Sequence, residues 1–298
     1  MKTTTDTIHK FIQQKQNRIN TVLRDIIPTS YPPLLHHAIE HSLFGSCKRI
    51  RPFLVYTSFE LFDNNLDKID PLAAAVELSH TYSLIHDDLP AMDDDDLRRG
   101  QPTCHKKFGE DIAILAGDTL NTFTFELLSS TLPHHFTPSH CLDAIRYLSH
   151  ATGGNGMAGG QIYDLYPIQK TPTFNHLKQT HHLKTGALIT ASVVIPAILG
   201  GASKTEKEAL TQFGHHLGLL FQITDDILDV TSTQKVLGKT PHKDILQDKT
   251  TYVSLLGLEK AQQFAQEEAD QAKDALHYFG TQQEPLTQLV DYIVNRKH

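Results

Sequence analysis

Cysteine is scarce in this chain of 298 residues, and the three present, Cys47, Cys104 and Cys141, lie far apart and form no CxxC pair. An odd, dispersed set excludes a disulfide framework and a cysteine zinc site. It fits a reducing cytosol, so a cytoplasmic location is expected. Positive charge is also short: 27 Lys and Arg stand against 34 Asp and Glu, a formal net charge of −7. Bulk attraction to nucleic acid or to an anionic membrane is thereby disfavoured, and an anionic ligand has to be met by a local basic cluster. Long apolar runs are missing too. The N-terminal MKTTTDTIHKFIQQKQ has no signal-like core, and the most apolar stretch, Ser192 to Ala202, contains Pro196, Gly200 and Gly201. No membrane span is expected. Strand-like alternation, low-complexity tracts and polar linkers are scarce, which argues for one domain over residues 1–298.

What the chain does contain is helical periodicity. Leu72, Val76, Ser79 and Ser83 repeat at three- and four-residue spacing, with Leu78, Tyr82 and Ile85 beside them, as one helix face requires. Pro28, Pro32 and Pro33 separate a first helix from a second, Pro133 and Pro138 bracket a polar loop, and Gly153 to Gly160, Pro167 to Pro172 and Lys235 to Lys249 supply further breaks. An all-α protein of about ten or more helices follows.

Two acidic motifs stand out, DDLPAMD from Asp87 and DDILD from Asp225. In the second, Asp225 and Asp229 are four apart and Asp226 and Asp229 three apart, which gathers carboxylates on one helix face. Magnesium offsets such repulsion naturally, because it takes oxygen ligands and is commonly held by one or two carboxylates plus substrate phosphate oxygens. In the first, Asp87 and Asp93 are six apart with Pro90 between them, and a local distortion at Pro90 brings both to one ion. His80, Ser83 and Asp87 fall at i, i+3 and i+7, so one face runs down into a cavity below the metals. A short acidic run is more often a solvated face, as Asp94 to Asp96 illustrate. Two motifs that each follow an apolar stretch are another matter, since unpaired carboxylates there are costly to bury. The pairing suggests two helices facing each other across one cavity. Basic elements complement them: Lys48-Arg49-Ile50-Arg51, Arg98-Arg99, Lys184-Thr185 and Lys239 supply point charges and guanidinium forks for phosphate oxygens.

With these residues the chain resembles the trans-prenyltransferases, and within them the bacterial farnesyl diphosphate synthases. KRIRPFLVY, AAAVELSHTYSLIHDDLPAMDDDDLRRGQPTCHKKFG, ILAGDTLNTFTFELL, GMAGGQIYDL, HLKTGALI, FQITDDILDVTSTQKVLGK and DYIVNRK occur in family order. The resemblance implies a single helical bundle around a central cavity, a homodimer, three magnesium ions, and isopentenyl, dimethylallyl and geranyl diphosphates as substrates. It implies that Asp87 and Asp93, with Asp88 assisting, and Asp225, with Asp226 and Asp229 nearby, are the metal ligands. It implies an isopentenyl diphosphate site of Lys48, Arg51, His80 and Arg99, and an allylic diphosphate site of Arg98, Lys184, Thr185, Gln222 and Lys239, with Asp244 and Lys249 as an outer shell. The carboxylates Asp87, Asp88, Asp93 and Asp225, with Lys184 and Lys239, would serve the chemistry. One departure is visible: relatives usually carry Gly-Gly before the Lys48 position, whereas Ser46-Cys47 follows Gly45 here, so the loop loses two permissive residues.

Product length should depend on what blocks the cavity about one turn below Asp87, and Tyr82 and Ser83 are the candidates. A tyrosine five residues before the first aspartate, with the two-residue insertion in DDLPAMD, is similar to bacterial farnesyl synthases. The competing expectations are a longer geranylgeranyl product, a terpene cyclase, an HD-type phosphohydrolase with His86 as a metal ligand among nineteen histidines, and an inert partner subunit. The Lys48 to Arg51 element and the second DDILD motif argue against the cyclase.

Overall fold

The computed structural model describes residues 4–45, 47–166, 173–231 and 250–296, and among them fourteen α-helices and one short hairpin. Helix α1 (Thr4–Ile26) lays Ile8, Lys15, Ile19 and Leu23 onto the protein at four- and seven-residue spacing and leaves its other face wet. Helices α2 (Pro33–Leu43) and α3 (Ile50–Phe59) follow the Pro28 to Pro33 break. Helix α4 (Asp70–Asp87) has Leu72 to Ser79 all buried, the pattern of a helix enclosed on every side. It packs antiparallel along α6 (Glu110–Thr131): the Thr124 hydroxyl lies 3.5 Å from the Ala75 carbonyl near one end, and Gly117 lies against the His86 ring near the other.

Between α4 and α6 the chain forms strands β1 (Leu97–Arg98) and β2 (Gln101–Pro102) and the short helix α5 (Cys104–Phe108). The strands pair antiparallel, Arg98 opposite Gln101. Arg99 and Gly100 make the turn, both at positive φ (54° and 78°), as a primed two-residue hairpin turn requires. Helices α7 (Pro138–Thr152), α8 (Met157–Leu165) and α9 (Phe174–His181) lead into a π-helical turn, His182–Gly186, and then α10 (Ala187–Leu199). After α11 (Lys204–Thr231) come α12 (Tyr252–Leu256), α13 (Leu258–Ala275) and α14 (Glu284–Asn295).

Helix α10 is the septum of the molecule. Leu188, Ala191, Ile195 and Leu199 join a core with α2, α4, α6 and α7, while Ile189, Val193, Val194 and Ala197 join a second core with α11, α13 and α14. Within the 26-residue run Phe174–Leu199 one 18-residue window has a mean hydropathy of 1.5, enough by length and composition to cross a membrane, yet 67% of that window is buried inside the protein. Its apolarity serves two cores at once. Pro196 lies inside α10 without interrupting it. In the last turn a proline forfeits a single hydrogen bond, and Gly200 and Gly201 end the helix instead.

Candidate active site

Helix α4 stops at Asp87, with Asp88 as its C-cap. Pro90 therefore lies beyond the helix rather than distorting it from within. The chain then folds back: Asp93 N–H donates to the Asp87 carbonyl (2.9 Å), Asp95 N–H to that of Asp88 (3.2 Å), and Asp94 takes a left-handed φ of 47°. This return brings Asp93 beside Asp87. Burial pushes the Asp87 carboxyl up to about 6, with Asp93 and Asp88 adding to the effect and Lys184 and Arg98 opposing it. No hydrogen bond or ion pair to the Asp87 side chain is found among the described residues.

Asp88 has a different neighbourhood. Arg98 Nε donates to both of its oxygens (2.7 and 2.9 Å), and Arg98 also lies 3.5 Å from Asp95. Burial nevertheless outweighs the guanidinium, and the Asp88 carboxyl is pushed up. Two residues assigned by resemblance to metal assistance and to the allylic diphosphate are thus each other's partner. Arg99, turned outward by the hairpin, donates to Cys47 Sγ. Arg51 is enclosed, its Nε without a hydrogen-bond partner among the described residues, and burial lowers its pKa to about 10. It lies within electrostatic reach of Glu77 on α4, Asp225 on α11 and Arg99, so it stands between the two acidic helices. His80 is held neutral, well below the ordinary imidazole value, by burial and then by Arg51, Arg99, Arg98 and Arg49. Burial and Arg296 likewise lower Lys48, while Asp225 opposes. Of the residues assigned to isopentenyl diphosphate, Arg51 and His80 therefore line one cavity with Arg99 within electrostatic reach of both, while Lys48 lies near Arg296 and Asp225.

On the second motif, Asp225 is half-exposed and pairs with Arg296, whereas Asp226 and Asp229 are buried. Asp226 points away from Asp225: its Oδ2 accepts the Tyr252 N–H that opens α12 (2.8 Å), and its Oδ1 accepts from Gln222 Nε2 (3.3 Å). Gln222 in turn receives the Thr185 hydroxyl (3.2 Å), so a hydrogen-bond relay runs from the π-helical turn across α11. Lys184, also on that turn, pairs with Asp164 of α8 at 2.6 Å. The turn is reached only because α8 and α11 present glycines. A Cβ on Gly160 would meet Lys184 N at 2.2 Å, and one on Gly218 would meet Gly186 Cα at 2.7 Å. Lys239, Asp244, Lys249 and Ser46 lie outside the described residues.

Below Asp87 opens a cavity of about 450 Å³, lined by Tyr82, Ser83 and His86 of α4, Met157, Gln161 and Ile162 of α8, and Lys184 and Thr185. Tyr82 stands edge-on to His86 (ring centroids 6.0 Å apart, 74°). Burial raises its hydroxyl to about 12, with Asp87 adding. His86 Nε2 sits 3.2 Å from the Ile114 carbonyl, over Gly117. Among the described residues no three His, Cys, Asp or Glu side chains converge to hold a cation by themselves, so the imidazole-carboxylate centre of an HD-type hydrolase is not formed by them. Two carboxylates at one rim, with no cation hydrogen-bonded to Asp87 among the described residues, suit magnesium that completes its shell with phosphate oxygens.

Sequence reasoning gave no role to Asp164, Glu77 or Arg296, and it counted Arg49 among the cations offered to phosphate, whereas the Arg49 guanidinium is engaged by Asn20, Glu77 and the Leu43 carbonyl. Each lies inside or beside a quoted motif, but the partner that gives it meaning is 20 to 71 residues away.

The chain is similar to known proteins over nearly its whole length. The chain matches the polyprenyl synthetase family over residues 32–293. It is 45% identical over 289 residues to the chloroplastic geranylgeranyl pyrophosphate synthase of Capsicum annuum, covering 96% of this chain and 78% of that protein. It is 45% identical over 262 residues to the farnesyl diphosphate synthase of Micrococcus luteus, covering 88% and 89%. The structure of the Helicobacter pylori geranyltransferase complexed with magnesium and isoprenyl diphosphate matches at 34% identity with a TM-score of 0.85, covering 96% of this chain and 97% of that one. Fold and neighbours define the class as the all-α trans-prenyltransferases. This chain belongs to the polyprenyl synthetase family and is a prenyltransferase.

Proposed function

We propose that the protein condenses isopentenyl diphosphate head to tail with dimethylallyl and then geranyl diphosphate, and releases farnesyl diphosphate. The observation that carries the chain length is Tyr82, whose ring stands in the cavity wall five residues before Asp87. A prenyl tail growing down from the diphosphate end meets it.

The basic pocket of Lys48, Arg51, His80 and Arg99 takes isopentenyl diphosphate, and Lys184, Thr185, Gln222, Arg98 and Lys239 serve the allylic diphosphate. Asp87, Asp93 and Asp225, assisted by Asp88 and Asp229, would hold magnesium, three ions in our reading. When bound, magnesium neutralises the charge that grows on the departing diphosphate. Lys184 adds positive charge at the same place, and the Thr185 and Gln222 oxygens face the allylic cation left when the carbon–oxygen bond breaks with its electron pair on the diphosphate. The apolar wall keeps water from that cation. The isopentenyl double bond then forms the new carbon–carbon bond, and the neighbouring carbon loses a proton to the released diphosphate. A homodimer acting in the cytoplasm completes the reading.

The name of the Capsicum relative favours a second reading, in which synthesis continues to geranylgeranyl diphosphate. Incubation with labelled isopentenyl diphosphate and each allylic substrate tests the reaction itself. Label should enter a prenyl product only when an allylic diphosphate and magnesium are both present; its absence would overturn the reading.

A further inference from the structure

Arg49 lies between two residues of the proposed isopentenyl diphosphate pocket, yet its own side chain points the other way. It is 4% exposed, and its guanidinium uses every nitrogen on a different element. Nε donates to Asn20 Oδ1 of α1 (3.0 Å), Nη1 to Glu77 Oε1 of α4 (2.5 Å), and Nη2 to the Leu43 carbonyl at the end of α2 (2.5 Å). Its backbone is left-handed (φ 54°, ψ 39°), and its carbonyl accepts the Phe53 N–H that starts α3 (3.0 Å). A non-glycine residue stays in that region only where its surroundings over-determine it.

These contacts bear on the pocket from both sides. Glu77 is three residues before His80 on the same face of α4. Lys48 and Arg51 flank Arg49 in sequence, and Arg99 reaches the preceding residue, Cys47, whose carbonyl also accepts from Gln16 of α1. Gln16 and Asn20 are four apart, so one face of α1 holds this loop at two points. The loop has cysteine beside Lys48 where a permissive glycine would let the backbone adapt to a phosphate. Its shape is instead set beforehand by side chains, and only a planar three-nitrogen fork spans α1, α2 and α4 together. Glu77 offsets the Arg49 charge, so Arg49 adds little repulsion among Lys48, Arg51 and Arg99.

We infer that Arg49, clamped by Glu77, Asn20 and the Leu43 carbonyl, is a positioning residue for isopentenyl diphosphate: it presets Lys48 and Arg51 and never touches the substrate. The inference rests on the proposed reaction. Its test is steady-state kinetics with both substrates for the wild type and for Arg49→Lys, Glu77→Gln and Asn20→Ala, with melting temperatures measured alongside. Asn20→Ala leaves the buried Arg49–Glu77 pair in place and keeps the test open if the buried-charge variants do not fold.

The KM for isopentenyl diphosphate should rise roughly threefold in Asn20→Ala and tenfold or more in the folded buried variants, while the allylic KM stays within about twofold. Binding of isopentenyl diphosphate in the absence of any allylic diphosphate, followed by calorimetry, should weaken in parallel. If both KM values move together, or neither moves in a folded variant, Arg49 is only a core residue and the inference is overturned. A wild-type protein that forms no condensation product would instead overturn the functional reading, and this inference with it.

Discussion

Arg296, one residue past α14, donates through Nη2 to Asp225 of the second aspartate motif and to the Phe221 carbonyl at 3.0 Å, with its guanidinium 4.3 Å from the Phe221 ring centre. The segment after α14 is thus tied to α11 at the mouth of the site. Arg296→Met should cost about 1–3 kcal/mol, and less when Asp225 is already Asn, leaving a coupling of about 1 kcal/mol in a double-mutant cycle. Denaturant unfolding of the four proteins measures it. Additive effects would mean that the pair contributes nothing.

Tyr82→Ala should open the cavity below Asp87 and lengthen the product by at least one isoprene unit, with condensation retained. Ser83, whose hydroxyl is turned back to the His80 carbonyl at 2.9 Å, should matter less when changed to Ala. Chromatography of the dephosphorylated products distinguishes the two. An unchanged length in Tyr82→Ala would remove Tyr82 as the floor.

Asp87 is raised from an ordinary 3.8 to about 6, mainly by burial. The folded protein therefore binds that proton more tightly than the unfolded chain, and stability falls as pH rises through the interval from about 4 to 6. Asp87→Asn escapes this loss. Without magnesium it should be more stable than wild type by on the order of 1–3 kcal/mol near pH 8, with the difference vanishing near pH 4. It should also lose condensation activity. Equal stabilities at both pH values would contradict the burial account.

Much of this architecture is legible in the chain. Proline and glycine breaks place the first two helices and the start of α7, and the second aspartate motif lies on α11 as its three- and four-residue spacing requires, whereas the first motif ends α4 and leaves Pro90 beyond it. The finer site is less legible because long-range pairing reassigns residues that look equivalent. Asp225 and Asp226 are neighbours in one motif, yet Asp225 faces Arg296 while Asp226 caps α12 through Tyr252. Asp88 resembles Asp87 in sequence, but the hairpin returns Arg98 onto it. The hairpin itself leaves little trace, being four paired residues around an Arg-Gly turn.

Gly160 offers a test of how the π-helical turn is placed. A methyl there would lie 2.2 Å from the Lys184 backbone nitrogen, so Gly160→Ala should cost about 3 kcal/mol or more and weaken allylic substrate binding. Gly45→Ala, with nothing within 4 Å, should be near neutral in stability. Thermal unfolding and the KM for geranyl diphosphate of each variant check the contrast.

The most direct measurement is the product distribution at excess isopentenyl diphosphate, followed over time from dimethylallyl diphosphate with magnesium present. Farnesyl diphosphate should accumulate as the end product, with geranyl diphosphate passing through as an intermediate. Steady conversion of farnesyl into geranylgeranyl diphosphate would contradict the account of Tyr82 as the floor of the cavity.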